Sequence, residues 1–363
     1  MVYKVIGLMS GSSLDGLDIV YTELHEDRGK WNFEILASDC YEYDEDWKER
    51  LRNATALSAL DYQLLHTAYG HYIGEQVNRF MEEKNLQYKV ALIASHGHTV
   101  FHFPQQRMTA QLGDGAAIAA QTSLPVVSDL RAMDVAFGGQ GAPIVPIGEK
   151  LLFPGFTMFL NIGGIANISF NSEGGYTAFD VCPANRVLNN IAAKAGKEYD
   201  AGGEMASIGN IEEGLLQKLN VLSYYQQAPP KSLDNSFGVD EIAPLIRSFG
   251  LTNNDSLRTY VEHIVIQVKN AIDKHKLQTT NCKLLVTGGG AFNTFLIQQL
   301  SAALAPLAIE VVIPDEQIVK YKEALIMGLI GVLRWRQEYT VLSSVTGARR
   351  DSIGGAVWIG QEA

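Results

Sequence analysis

The chain has few cysteines, a deficit of positive charge and no long apolar run. Its three cysteines, Cys40, Cys182 and Cys282, are scattered and lack CxxC spacing, which argues against a disulfide framework or a thiolate metal site and suits a reducing cytoplasm. Lys and Arg number 29 against 40 Asp and Glu, for a net charge of −11, so the basic face that nucleic acid requires is missing. The longest apolar run, 324–333, is too short to span a bilayer and fits a buried helix, so no membrane partner is expected. The opening MVYKVIGLMSG is interrupted by glycine and reads as a strand rather than a signal peptide.

Glycine, by contrast, is plentiful at 34 residues, much of it in short clusters beside apolar runs. A length of 363 residues exceeds what one core comfortably supports and favours two lobes. Extended segments are expected at 3–9, 16–24 and 31–41, a helix at 61–83 and a strand at 90–95. A turn, helix and strand follow over 113–129, and a Gly/Pro-rich joint at 138–146 ends this half. The pattern then restarts with strands at 157–162, 166–169 and 176–180, and a helix near Asn185. Paired prolines make 226–237 a loop, a helix covers 255–275, and strands at 283–287 and 310–313 flank a helix at 293–303. A last helix starts near Lys322. Both halves open as strand, Gly-rich turn, strand, which indicates a weak duplication. The expected architecture is an α/β fold of two lobes, 1–145 and 146–363, with the final segment able to pack back on the first lobe and a ligand cleft between the Gly-rich turns.

Three Gly-rich turns are candidates for gripping a nucleotide. Ser10, Gly11, Ser12 and Ser13 offer backbone N–H groups and hydroxyls to an anion, and one of the two carboxylates that follow, Asp15 rather than Asp18 as the first choice, is placed to hold Mg²⁺ through water while the other is solvated. Gly163 and Gly164 form the second turn; Gly288, Gly289 and Gly290 form the third, where a base or ribose can lie on bare backbone. Any one of them alone is an ordinary turn. Asp180, at the end of a strand and before a helix start, suits a general base or equally an N-cap. Arg131 suits a carboxylate or phosphate, or a surface pairing with Asp129 or Asp134. Glu323 is an acid at an expected helix start, favourable there with no further function. His96, His98 and His102 form a competing pattern, that of a metal-dependent hydrolase, although their spacing is loose and HExxH is absent.

These stretches together resemble the anhydro-N-acetylmuramic acid kinases. Residues 7–18, GLMSGSSLDGLD, are similar to that family's GLMSGTSLDGID, and 95–102 to its SHGQTVxH. Residues 111–114, 129–146 and 160–169 follow its QIGD, DFRxxDxAxGGQGAPLVP and LNIGGIANIS patterns. Tyr199, Asp200, Gly203 and Ala206, then 229–232, 288–290, Asn293 and 346–348 complete the likeness over nearly the whole chain. The resemblance implies an actin/hexokinase-like fold with ribonuclease H-like halves, a homodimer, and an enzyme that uses ATP and Mg²⁺. Such an enzyme opens the 1,6-anhydro ring of a small amino sugar with water and phosphorylates O6, in peptidoglycan recycling. It implies Asp180 as the base, Thr99, Arg131 and Glu323 as sugar-binding residues, and the Gly turns as the ATP site. The chain departs from the family's DTGPGN at Val181, Cys182 and Ala184, has Asn189 where an Asp is expected, and reads LDNS at 233–236 where the family has TGRE. If the lost glycines used positive φ, this loop must bend differently. A kinase for another sugar and a non-catalytic binding relative are the remaining readings.

Overall fold

The computed structural model of the chain describes residues 1–11, 13–172, 175–229, 231–234, 236–275 and 282–360; Ser12 and Pro230 lie outside the described residues. These pack as two compact units, Met1–Pro154 with the chain from Tyr321 onward, and Gly155–Lys320. A division at 145/146 would cut through packing inside the first unit. The short helix Pro146–Leu152 is buried there, with Gly148 against Ile326 and Glu149 ion-paired to Lys322 at 2.8 Å.

In the first unit β1 (Val2–Ser10), β2 (Gly16–Asp27) and β3 (Lys30–Glu42) form an antiparallel meander. β4 (Leu92–Ser95) joins β1 in parallel, and past a separate hairpin, β5 (His98–Phe103) with β6 (Met108–Leu112), β7 (Val126–Ser128) joins β4 in parallel. In the second unit β8 (Met158–Ile162), β9 (Ile165–Ser172) and β10 (Gly175–Pro183) repeat the meander. β11 (Cys282–Thr287) and β12 (Ile309–Val312) repeat the parallel additions. Each sheet therefore runs third, second, first, fourth, fifth, with the same directions. This is the ribonuclease H-like topology present twice, the duplicated α/β fold of the actin/hexokinase class. The first sheet gains one strand more, β13 (Ala356–Trp358), antiparallel to β7.

Alternation along β1 explains why both of its faces are buried. Ile6 and Leu8 turn toward the helix Ala59–Glu83, together with their β2 partners Tyr21 and Ile19. That helix is capped by Ser58, whose Oγ accepts the Asp61 N–H at 3.2 Å, and its inner stripe is Leu65, Tyr69, Ile73, Val77 and Phe80. Leu64, beside this stripe, faces outward. Val5 and Gly7 turn the other way, toward the helix Glu316–Trp335. That helix starts at Glu316 rather than near Lys322, because Asp315 Oδ1 accepts the Ile318 N–H at 2.9 Å and caps it. In the second unit the helix Asn253–His275 buries Leu257, Tyr260, Val261, Ile264, Val268 and Ile272 in the core formed with β8–β10.

Gly7 is the tightest point of the first sheet. A Cβ there would fall on the Ala324 carbonyl oxygen and 2.7 Å from the Gly328 nitrogen, and backbone cannot swing aside. Gly7→Ala is therefore expected to destabilise the chain by about 3 kcal/mol, at the upper end for an overpacked core, in urea unfolding followed by circular dichroism. A loss below about 0.5 kcal/mol would show that the helix is not seated this closely.

Candidate functional site

In the first unit, β1 delivers the first Gly-rich turn. Gly11 is half-buried, and Ser13 and Asp15 are exposed, so backbone and carboxylate are accessible there. Ser10 is not. Its buried Oγ accepts the Tyr43 hydroxyl at 2.8 Å and lies 3.0 Å from His98 Nδ1, with Tyr43 bonded in turn to Tyr69. The Ser10 hydroxyl thus ties the strand end to the core rather than facing an anion.

A second group gathers around Arg131. Its Nε donates to His96 Nε2 at 2.8 Å and its Nη1 to Gly141 O at 2.6 Å. His96 Nδ1 lies 2.9 Å from Gly97 O, so with Nε2 accepting, Nδ1 carries the proton. Burial holds His96 down to about 3, with the Arg131 charge pushing the same way, so it stays neutral. Among the described residues Arg131 pairs with neither Asp129 nor Asp134: Asp129 Oδ2 accepts the Ser128 hydroxyl at 2.7 Å, and buried Asp134 accepts Gly141 N–H at 2.8 Å and the Thr346 hydroxyl at 2.7 Å. Gln140 N–H also meets Thr346 O at 2.8 Å, which brings the 346–348 motif onto the 138–146 joint.

Glu323 lies inside the helix Glu316–Trp335, not at its start, so the helix dipole does not account for it. Burial raises its carboxyl, while the Lys322 and Arg131 charges pull it back. Asp18, on β2, faces the same group. Burial pushes it up to about 6, a hydrogen bond from Cys40 opposes this, and the Glu323 and Asp15 charges add to it. Thr99, on β5, is exposed. Arg131 with Glu323, Glu323 with Asp18, and Asp18 with Asp15 are thus each close enough to feel the other's charge, though the sequence scatters them.

The second unit brings the other two Gly turns together. Asn185 bridges them: its Nδ2 donates to Ile162 O at 3.0 Å, and its backbone N–H donates to Gly163 O at 3.0 Å. The same Nδ2 lies 3.4 Å from where a Gly289 Cβ would be. Gly164 O accepts the Ala184 N–H at 2.8 Å, and Gly288 N–H meets Val319 O at 3.2 Å. Gly288 has φ +82°, and a Cβ on it would lie 2.5 Å from Asn161 Oδ1, so conformation and space both require glycine. Gly290 packs its bare backbone on Ile162. Thr294 Oγ1 donates to Gly202 O at 2.9 Å, and Asp200 accepts Met205 and Ala206 N–H at 2.9 and 3.0 Å, placing the 199–206 motif beside the third turn.

Asp180 lies within β10, which continues to Pro183, so it does not cap the helix Asn185–Ala193. Its Oδ2 accepts the Leu233 N–H at 2.9 Å, its carbonyl accepts the Tyr224 hydroxyl at 2.6 Å, and its N–H meets Lys231 O at 3.3 Å. Burial raises its carboxyl and the Leu233 bond holds it back. A half-buried carboxylate fixed through one oxygen leaves the other to accept a proton. The loop at 226–237, read only as a break, thus supplies the groups that orient Asp180. Cys182 and Ala184 do not have positive φ; a bulge between Asp180 and Cys182 turns the chain instead.

The three histidines do not converge. His96 is committed as above, His98 Nδ1 to Ser10, and His102 Nδ1 to Thr109 Oγ1 at 3.0 Å. Among the described residues no group of three His, Cys, Asp or Glu forms a metal site.

Comparison with known proteins bears on what these groups serve. The family model for anhydro-N-acetylmuramic acid kinase matches residues 3–360. The chain belongs to the anhydro-N-acetylmuramic acid kinase family. A curated family member from Mannheimia succiniciproducens is 32% identical, covering 97% of this chain and 98% of its own. One from Aliivibrio fischeri is 34% identical over 84% and 85%, and one from Haemophilus influenzae is 32% identical over 97% of each. Among solved structures, the Acidaminococcus fermentans (R)-2-hydroxyglutaryl-CoA dehydratase component A is 14% identical, with TM-score 0.48 and coverage of 91% and 97%. A ROK family glucokinase from Streptomyces griseus, in complex with glucose and AMPPNP, is 10% identical with TM-score 0.42 and coverage of 91% and 99%.

The raised Asp18 gives a test of this family member's charge cluster. Its folded value, about 6, exceeds the ordinary 3.8, so the folded chain binds more protons between these values and loses stability as pH rises through them. Asp18→Asn is expected to be more stable than wild type at pH 7, by on the order of 2 kcal/mol, and to lose that advantage near pH 4. Chemical unfolding at the two pH values checks this; an equal difference at both would refute it.

Proposed function

We propose that the chain is an ATP-dependent kinase that adds water across the 1,6-anhydro bond of anhydro-N-acetylmuramic acid and phosphorylates O6, giving N-acetylmuramic acid 6-phosphate. The observation that carries this reading is the family match over residues 3–360, with Asp180 present as a half-buried, singly anchored carboxylate. Asp180 takes a proton from water as the water oxygen bonds to C1. The C1–O6 bond breaks, and the released O6 attacks the γ-phosphate of ATP, leaving ADP. Arg131, Glu323 and Thr99 hold the sugar, with Arg131 suited to its lactyl carboxylate.

Backbone of Gly11, Ser13, Gly163, Gly164 and Gly288–Gly290 holds the nucleotide. Asp15, an exposed carboxylate beside a turn, has the hard-oxygen chemistry Mg²⁺ requires and would hold it through water. When bound, the ion neutralises charge on the phosphates. The reading places the enzyme in the cytoplasm, as a homodimer, in peptidoglycan recycling.

A second reading, a kinase of this fold for another sugar, is motivated by Val181, Cys182 and Ala184 beside Asp180 and by the altered 233–236 loop.

Incubation with anhydro-N-acetylmuramic acid, ATP and Mg²⁺ in ¹⁸O-water is expected to yield a phosphorylated sugar carrying one labelled oxygen by mass spectrometry. Asp180→Asn should lower kcat by about 10³-fold or more. An unlabelled product would refute water attack, and turnover of other sugars alone would select the second reading. Because burial raises Asp180, kcat/KM should fall with decreasing pH through a value above the usual carboxylate range. An acid limb at or below that range would count against Asp180 as the base.

A further inference from the structure

Asp180 has neighbours whose side chains serve another space. Phe179 and Val181 line a cavity of about 140 Å³ that Asp180 does not line. Among the described residues two lysines line it and no carboxylate does. Lys231 Nζ lies 4.3 Å from the centre of the Tyr224 ring and donates to Tyr224 O at 3.2 Å. Lys274 Nζ donates to Tyr225 O at 3.3 Å. Among the described residues neither ammonium has a carboxylate partner, in a chain whose net charge is −11. Burial and the nearby Lys274 charge both lower the Lys231 ammonium, a like-charge strain that an anion would relieve. The amides of Gln227 and Asn270 add neutral donors, and Phe179 and Tyr225 supply ring surface.

We propose that this cavity is a regulatory site for a phosphate monoester, held by Lys231 and Lys274, whose occupancy reaches Asp180 through residues 231–233. Two ammonium groups match the charge of a phosphate monoester, near −2 at neutral pH, and the rings accept the face of an attached sugar. The link is short: the Lys231 carbonyl accepts the Asp180 N–H, and the Leu233 N–H holds Asp180 Oδ2. Drawing the Lys231 ammonium off Tyr224 therefore loads the segment that orients the carboxylate. The regulatory half of the inference rests on Asp180 being the catalytic base; the binding half does not.

Inorganic phosphate and glucose 6-phosphate are the probes, titrated calorimetrically into the full chain and into Lys274→Gln and Asn270→Leu. Both variants change exposed positions on one helix, so if one misfolds the other serves. Glucose 6-phosphate is expected to bind the wild type, and each variant to weaken it about tenfold, with weakening at high salt. Phosphate binding as tightly would show that the sugar face contributes nothing and would overturn the monoester assignment. Equal binding of glucose 6-phosphate by wild type and variants would overturn the site. At saturating ATP and sugar, glucose 6-phosphate should change kcat by about fivefold or more, and the change should vanish in Lys274→Gln. Binding that leaves kcat unchanged, or inhibition relieved by excess substrate, would overturn the coupling. Should the chain turn over no anhydro-sugar, the function proposed above fails, while Lys274-dependent binding still decides the site.

Discussion

The first unit depends on the absence of one side chain. Gly7 lets β1 approach the backbone of the helix Glu316–Trp335, with Ala324 and Gly328 at the contact. Glu323 precedes Ala324, so the depth to which this helix seats fixes where its carboxylate stands. From there it acts on Arg131 and Asp18. A Cβ at Gly7 would raise the helix and with it the carboxylate of Glu323, the residue next to the Ala324 contact. Packing and electrostatics here are one constraint, because the tight interface and the charge cluster share a turn of helix.

The charge cluster is also held by groups that carry no net charge. Neutral His96 orients Arg131 without competing for its charge, and Gly141 O accepts a hydrogen bond from a second guanidinium nitrogen. Arg131 falls to about 10 through burial, partly offset by Glu323 and Asp134, and so remains a cation at neutral pH. An imidazolium at His96 would repel it. The cluster thus keeps its charge through the physiological range by burying the histidine that could have titrated there.

Much of this was legible from one sequence. Runs rich in β-branched and aromatic residues, set off by turn residues, marked β1, β2 and β3, and the repeated strand–turn–strand openings anticipated the repeated sheet order. What escaped notice needed distant partners. Ser10 reads as a turn hydroxyl until Tyr43 and His98 are brought to it. Glu323 reads as a helix start because residues 316–322 are mostly polar, and only the Asp315 cap reveals the earlier beginning. The β5–β6 hairpin was hidden by polar residues and an irregular register, and β13 by its brevity. The loop holding Asp180 acts through one backbone N–H and one backbone carbonyl, which no side-chain pattern announces.

The two units differ in how the chain supplies them. Gly155–Lys320 is one continuous stretch, whereas the first unit takes in the chain from Tyr321 onward. β13 pairs with β7, and Thr346 closes the loop held by Asp134. During synthesis the second unit has all its residues before the first does. The earliest-made strands, with β7 as a temporary sheet edge, must wait for the last-made ones, and during that interval they need protection from unwanted pairing.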